Sequence, residues 1–353
     1  MSRGRVFLAL ATLAQSALVV AGPVSAQAWA TRAVCDVAAP QVHESAFAPA
    51  TEAELAAVAA AMPNPEGRFW RVVSPQGAVS HLWGTMHSAD RHVLDLPDLV
   101  QKRIGEARVV ALEIDPVLSG RAAYAAQFER GDWFRTGQEV ALADSGIDPH
   151  VLEWIRLRAE GLGWGRDAPE RLTPGALAEL LLSDPCNDFS SGVLPIQDGR
   201  IQMLAMIAGV PIQALEAPDR IRLYLDSPGN EAFAVDFLDV YGGYLNPETT
   251  REDRATSIAL YLQGRIGMML AWDRSYMADV LGDGGATLDR VNDYLLDHRN
   301  RQFVARIQDE LETGGVLIAI GCFHLPGTAG MVALLRDAGY TVTRIPLPGE
   351  TQP

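Results

Sequence analysis

Two apolar runs near opposite ends of the chain, His81-Leu82-Trp83 and Ile318-Ala319-Ile320, each stop at a glycine and carry a histidine three residues after it: Gly84-Thr85-Met86-His87 and Gly321-Cys322-Phe323-His324. No other feature limits the fold as much. Short apolar runs ended by glycine read as buried strands, at whose ends the backbone turns sharply or another group approaches closely. A histidine just past such a turn projects from the carboxyl edge of the sheet, where α/β proteins place their ligands. One such histidine alone reads as a hydrogen-bonded strand-end residue. Two of them, far apart in the chain, point to a shared site.

The remaining pattern is consistent with that frame. Thr51, with Glu54 three residues later, predicts a capping box opening a helix from Glu52 to Met62. Phe69 to Val73, Gln76-Gly77 and Val79 to Trp83 predict a β-hairpin. A helix follows Pro97, and further strands are expected over Arg108 to Ile114, Val210 to Leu215, Val316 to Ile320 and Tyr340 to Ile345. Between them the chain is mostly helical: Val151 to Glu160, Pro174 to Leu182, Asp198 to Ala208, and a long section from Glu231 to Leu311 broken at Asn246-Pro247, Gly282 and Gly284-Gly285. Met331 to Ala338 is one more helix. Strands at both ends with a helical middle predict an α/β fold with a mixed, mostly parallel central sheet flanked by helices. The reading is a single domain over 51–350 with a helical insertion over about 120–310, preceded by an Ala/Pro-rich linker over 29–50.

The N-terminus has the form of a secretory signal over 1–28: Arg3 and Arg5, an apolar run from Val6 to Val20, and Ala26-Gln27-Ala28 at the exit. A retained anchor is the alternative. No later segment is long and apolar enough to cross a bilayer. The expected location is across the inner membrane, periplasmic or extracellular. Hydrophobic residues at 48% and charged residues at 21% allow a sizeable core. The net charge of −15 argues against nucleic acid and against an anionic membrane surface as partners. Export implies an oxidising compartment, in which Cys35 and Cys186 are expected to pair and tie the mature N-terminus to the fold, leaving Cys322. The alternative is three free thiols.

Carboxylates complete the pattern. Glu113 and Glu216 each follow an apolar strand in the sequence Ala-Leu-Glu, which puts them at the same sheet edge as the histidines. They could be helix caps. With two imidazoles they could also hold a divalent cation such as Mn, Co or Zn and leave a position open for water. Cys322, two residues before His324, raises a rival Cys–His nucleophile.

Gly84-Thr85-Met86-His87, Leu112-Glu113, Leu215-Glu216, Arg299-Asn300 and Gly321-Cys322-Phe323-His324-Leu325-Pro326-Gly327 resemble the TraB/GumN family, related to the Tiki metalloproteases and more distantly to erythromycin esterase-like and ChaN-like proteins. The resemblance runs from about Arg71 to Ile345. It implies a metal site with His87 and His324 as ligands and Glu113 as ligand or general base, and with Glu216, Arg299 and Asn300 as supporting or substrate-side groups. Arg299 and Asn300 would then stabilise an oxyanion. The expected activity is hydrolysis of an amide or peptide bond in a peptide or small-molecule substrate by a metal-activated water. The alternative is an exported binding protein for a metal, a haem-like ligand or a glycan. Oligomeric state is not legible.

Overall fold

A computed structural model describes residues 32–115, 131–135, 137, 142–189 and 196–350. The expected signal segment and the first part of the expected insertion lie outside the described residues. The sheet has six strands: β1 (Phe69–Val73), β2 (Val79–Thr85), β3 (Val109–Leu112), β4 (Ile212–Ala214), β5 (Val316–Gly321) and β6 (Thr341–Arg344). Their spatial order is β4-β3-β5-β2-β1-β6. The pairs β4·β3, β3·β5 and β5·β2 are parallel, and β1 runs antiparallel to both β2 and β6. The sheet is therefore mixed and mostly parallel, as expected. β1 and β2 form the expected hairpin, with Gly77 at φ +91° making the turn.

Helices cover both faces. α2 (Asp98–Glu106), α3 (Gln197–Ile207), α5 (Arg299–Thr313) and α6 (Met331–Asp337) pack on the sheet, whereas α1 (Glu52–Ala60) packs on the helix Ile266–Leu281 and α4 (Arg220–Leu225) lies among the middle helices. Strand side chains alternate between the faces. Val110, Leu112, Leu317 and Ala319 pack with Val100 and Ile104 of α2 and Ile201 and Ala205 of α3. Val109, Ala111, Ile318 and Ile320 pack with Phe303, Ile307 and Leu311 of α5 and with Val332 and Leu335 of α6. The i, i+3 or i, i+4 spacing of these helical residues gives each helix one apolar stripe toward the sheet. Because β3 and β5 are covered on both sides, they are buried along their whole length, which is why they read as continuous apolar runs. The middle helices bury a third cluster of their own, including Leu152, Ile155, Leu177, Phe237, Leu238 and Leu288.

Two expectations change in detail. The long helical section has a further break at Gly264, whose φ of +70° ends one helix at Leu262 before the next starts at Ile266. The segment expected to be a linker packs on the fold through its described residues. Val37 and Phe47 join the core, the Phe47 ring meets Trp272 edge-on at 5.5 Å, and a disulfide joins Cys35 to Cys186. The few large apolar side chains of an Ala/Pro-rich stretch suffice to dock it. α1 opens with the capping box of Thr51 and Glu54.

Candidate functional site

The parallel register of β2 and β5 pairs Gly84 with Ile320 and Thr85 with Gly321, so the two Gly-x-x-His loops leave the same sheet edge side by side. On the other flank of β5, β3 ends at Leu112, opposite Ala319, and delivers Glu113 to that edge. The two Ala-Leu-Glu strands are also neighbours: Glu216 N–H donates to the Glu113 carbonyl at 2.9 Å. His87, His324, Glu113 and Glu216 thus come together from four parallel strands.

Both motif glycines are explained by close approach. A Cβ on Gly84 would lie 2.6 Å from Leu325 Cδ1 and 3.1 Å from Cys322 Cα, where the second loop crosses the first. A Cβ on Gly321 would lie 3.2 Å from Glu113 Oε1, 3.2 Å from His87 Nε2 and 3.6 Å from His324 Cδ2. The missing side chain of Gly321 leaves the space that these three polar groups border.

Each imidazole is held by its other nitrogen. His324 is buried, and its Nδ1–H donates to Asn300 Oδ1 at 2.7 Å. The Asn300 amide in turn donates to the carbonyls of His324 and Ala329 at 3.3 and 2.9 Å, which fixes the amide orientation. His87, about half exposed, donates from Nδ1 to Asp198 Oδ2 at 2.9 Å, and Asp198 Oδ1 accepts from the Thr85 hydroxyl at 2.8 Å. Both rings therefore turn Nε2 inward, each 3.8 Å from Glu113 Oε1. Burial pushes the pKa of His324 down to about 3, so this ring is neutral. The Asp198 carboxylate raises that of His87 to about 9.

Glu113 accepts from Gly321 N–H at 2.7 Å through Oε1 and from Arg299 Nη2 at 2.6 Å through Oε2. Burial alone would raise its pKa. The Arg299 guanidinium overrides burial and, with the two imidazoles and the Gly321 N–H, holds the carboxyl well below the usual range. Arg299 Nε also donates to both Glu216 oxygens, at 3.0 and 3.2 Å, and Nη1 donates to the Leu295 carbonyl at 3.0 Å. Burial would lower the Arg299 pKa, but the two carboxylates raise it. Glu216 goes up, because its burial outweighs Arg299. A π-helical turn over Asp293–His298 leads directly into Arg299 and Asn300, a device that recurs at functional sites.

Arg299 is 6% exposed and Asn300 is 1% exposed, with donors engaged inside the fold. Arg299 is bonded to Glu113 and Glu216, and Asn300 to His324, inside the fold. Glu216 is the far partner of Arg299. Two residues were missed. Asp198 orients His87, and Gln197 Oε1 lies 3.2 Å from Met86 N, 3.3 Å from Trp83 Nε1 and 2.8 Å from the Tyr261 hydroxyl, pinning the first loop. In sequence both look like the ordinary polar first turn of a helix. Cys322 is buried, and that burial pushes its thiol up to about 12, which disfavours a thiolate. His81 stacks on Phe69 at 5.4 Å, and burial pushes its pKa down to about 4.

Imidazole and carboxylate donors of this kind could hold a divalent first-row cation. Tetrahedral ligands at about 2.1 Å from an ion stand about 3.4 Å apart, close to the 3.8 Å between Glu113 Oε1 and each Nε2. Among the described residues, the cluster whose ligand atoms all lie within 4.8 Å of one another is His87, Glu113 and Asp198, a set that leaves out His324. No helix of the described residues is long and apolar enough to cross a membrane.

In comparisons with known proteins, a model of the TraB/PrgY/gumN family matches residues 69–344, a stretch that runs from β1 to β6 and includes every strand of the sheet. No curated protein and no solved structure matches the chain.

Proposed function

The chain belongs to the TraB/PrgY/gumN family, and from that premise and the geometry of the site we propose that it is an exported metal-dependent hydrolase acting on amide or peptide bonds. One observation carries this reading: two imidazoles, each anchored at Nδ1, present Nε2 at 3.8 Å from the same Glu113 oxygen, around the gap that Gly321 leaves. His87 and His324 serve as ligands through Nε2 and Glu113 through Oε1. A cation held there would supply Lewis acidity toward a carbonyl and toward water.

The chain's own groups divide the remaining work. Arg299 keeps Glu113 ionised, which suits a ligand better than a base. Asp198 is the carboxylate left to accept a proton, since its side chain reaches the same space and is 13% exposed. Asn300 fixes the His324 tautomer with Nε2 inward, and burial keeps the ring neutral. The Cys35–Cys186 disulfide favours an oxidising compartment and so supports export.

Elemental analysis of the untagged mature protein, beside the His87→Ala/His324→Ala double variant, tests the reading. We expect near-stoichiometric divalent metal in the first and its loss in the second. Absence of metal from both after loading with manganese, cobalt and zinc would overturn it.

A further inference from the structure

The charged side chains behind the site form an alternating row, Glu113, Arg299, Glu216, Arg220. Arg299 Nη2 stands 2.6 Å from Glu113, and Arg299 Nε stands 3.0 Å from Glu216. Arg220 Nε lies 3.8 Å from Glu216 Oε2, an ion pair too long for a hydrogen bond. That Nε is buried and has no hydrogen-bond partner, while 39% of the Arg220 side chain is exposed. The row therefore ends on a half-buried guanidinium that lacks an acceptor at Nε.

A second unsatisfied donor is linked to it through one stacked ring. Arg220 and Tyr224 are four residues apart on α4 and share a face. The Tyr224 ring stacks on Tyr294 with centroids 3.9 Å apart and planes 10° from parallel. Tyr294 is 6% exposed, yet its hydroxyl has no hydrogen-bond partner. Burial pushes the pKa of that hydroxyl up to about 12, and the Arg220 guanidinium opposes the rise. Buried hydroxyls almost always find a partner, because leaving one without costs stability.

We propose that Arg220 and the Tyr294 hydroxyl form a carboxylate-binding subsite beside the candidate metal centre, so that the substrate is a short peptide or acylated amino acid with a free carboxylate near the scissile bond. A guanidinium edge and one hydroxyl provide the donors a carboxylate accepts. Glu216, close behind Arg220, disfavours a dianion such as phosphate. The word substrate rests on the hydrolase reading, but the subsite itself is measured by binding.

The experiment is calorimetric titration of N-acetyl-dialanine, its C-terminal amide, and N-acetyl-alanyl-glutamate amide into the full mature protein and into its Arg220→Gln and Tyr294→Phe variants. Cleavage is followed in parallel by chromatography. The free acid should bind about tenfold to a hundredfold more tightly than the neutral amide, the range of a charge-assisted hydrogen-bond pair. Both substitutions should abolish this preference. Tyr294→Phe removes a hydroxyl without a partner, so it should do this without lowering Tm. Preference for the glutamate amide over the dialanine amide would support the same subsite with a side-chain carboxylate as its occupant. Equal binding of all three, a preference that survives both substitutions, or no saturable binding of either carboxylate would overturn the proposal. A preference without cleavage keeps the subsite and removes the hydrolase reading. Cleavage indifferent to the carboxylate does the reverse.

Discussion

Glu113 accepts the backbone N–H of Gly321 at 2.7 Å, so the glycine that opens the second Gly-x-x-His loop also fixes the carboxylate that faces both imidazoles. This gives Gly321 and Gly84 different tasks. A methyl group on Gly321 would point into the space between Glu113 Oε1 and His87 Nε2, so Gly321→Ala should abolish cation binding. A methyl on Gly84 would meet Leu325 and the Cys322 backbone, so Gly84→Ala should chiefly destabilise, by about 1–3 kcal/mol as overpacking does. Isothermal titration with zinc and urea unfolding of both variants check this. Full zinc affinity in Gly321→Ala would refute the assignment of the space.

Asn300 makes a prediction of its own. Its Oδ1 accepts from His324 Nδ1 and its amide holds the His324 and Ala329 carbonyls. Loss of such a support typically costs a metal site about 10- to 100-fold in affinity. Asn300→Ala should therefore weaken cation binding by that factor while the first loop, with His87 and Asp198, stays in place. Unchanged affinity would mean that His324 is not a ligand.

Arg299 neutralises two buried carboxylates at once. Arg299→Ala leaves Glu113 and Glu216 buried without their counter-ion, and breaking a buried pair from one side costs about 3–5 kcal/mol. Glu216→Gln keeps an acceptor for the guanidinium and should cost less. Urea unfolding near neutral pH ranks the two. The sign at low pH also follows. The Glu113 pKa is depressed in the folded state, so its contribution is present above the unfolded carboxyl value of about 4.3 and is lost as pH falls through the folded one.

What the sequence made legible was the part decided locally. The capping box of Thr51 and Glu54, the Gln76-Gly77 turn and the apolar runs of β3 and β5 depend on neighbours in the chain, and the structure has them. His87, His324 and Glu113 could be singled out because each follows a strand end. The adjacency of the two loops depends on β5 lying between β2 and β3, which no local pattern states. Asp198 was hidden because an acidic residue in a first helical turn is ordinary. Arg299 and Asn300 were noticed, but their direction was not readable. Whether a guanidinium faces a substrate or two buried carboxylates is decided by side chains 83 and 186 positions away.

The middle helices carry a pH dependence of opposite sign to that of Glu113. Asp273 donates nothing when ionised and accepts from the Tyr244 hydroxyl at 2.8 Å, and its burial raises its pKa to about 6. Burial raises Asp239 to about 6 as well, with the nearby Asp148, Asp236 and Asp283 adding to the shift. Glu179 rises to about 7 for the same first reason, burial, with Arg222 opposing it. A carboxyl whose folded pKa lies above its unfolded value binds its proton more tightly in the native state. Its stabilising contribution is complete below the unfolded value of about 4 and is lost as pH rises through the folded one. Each such group should lower unfolding free energy by up to about 1.4 kcal/mol per pH unit inside that window, the slope for one proton. Asp273→Asn is neutral at every pH and keeps an acceptor for Tyr244, so it should flatten the decline between pH 4 and about pH 6 and leave the variant more stable than the parent at pH 7. Urea unfolding across that range measures it, and a parent whose stability rises steadily from pH 4 to pH 7 would contradict it.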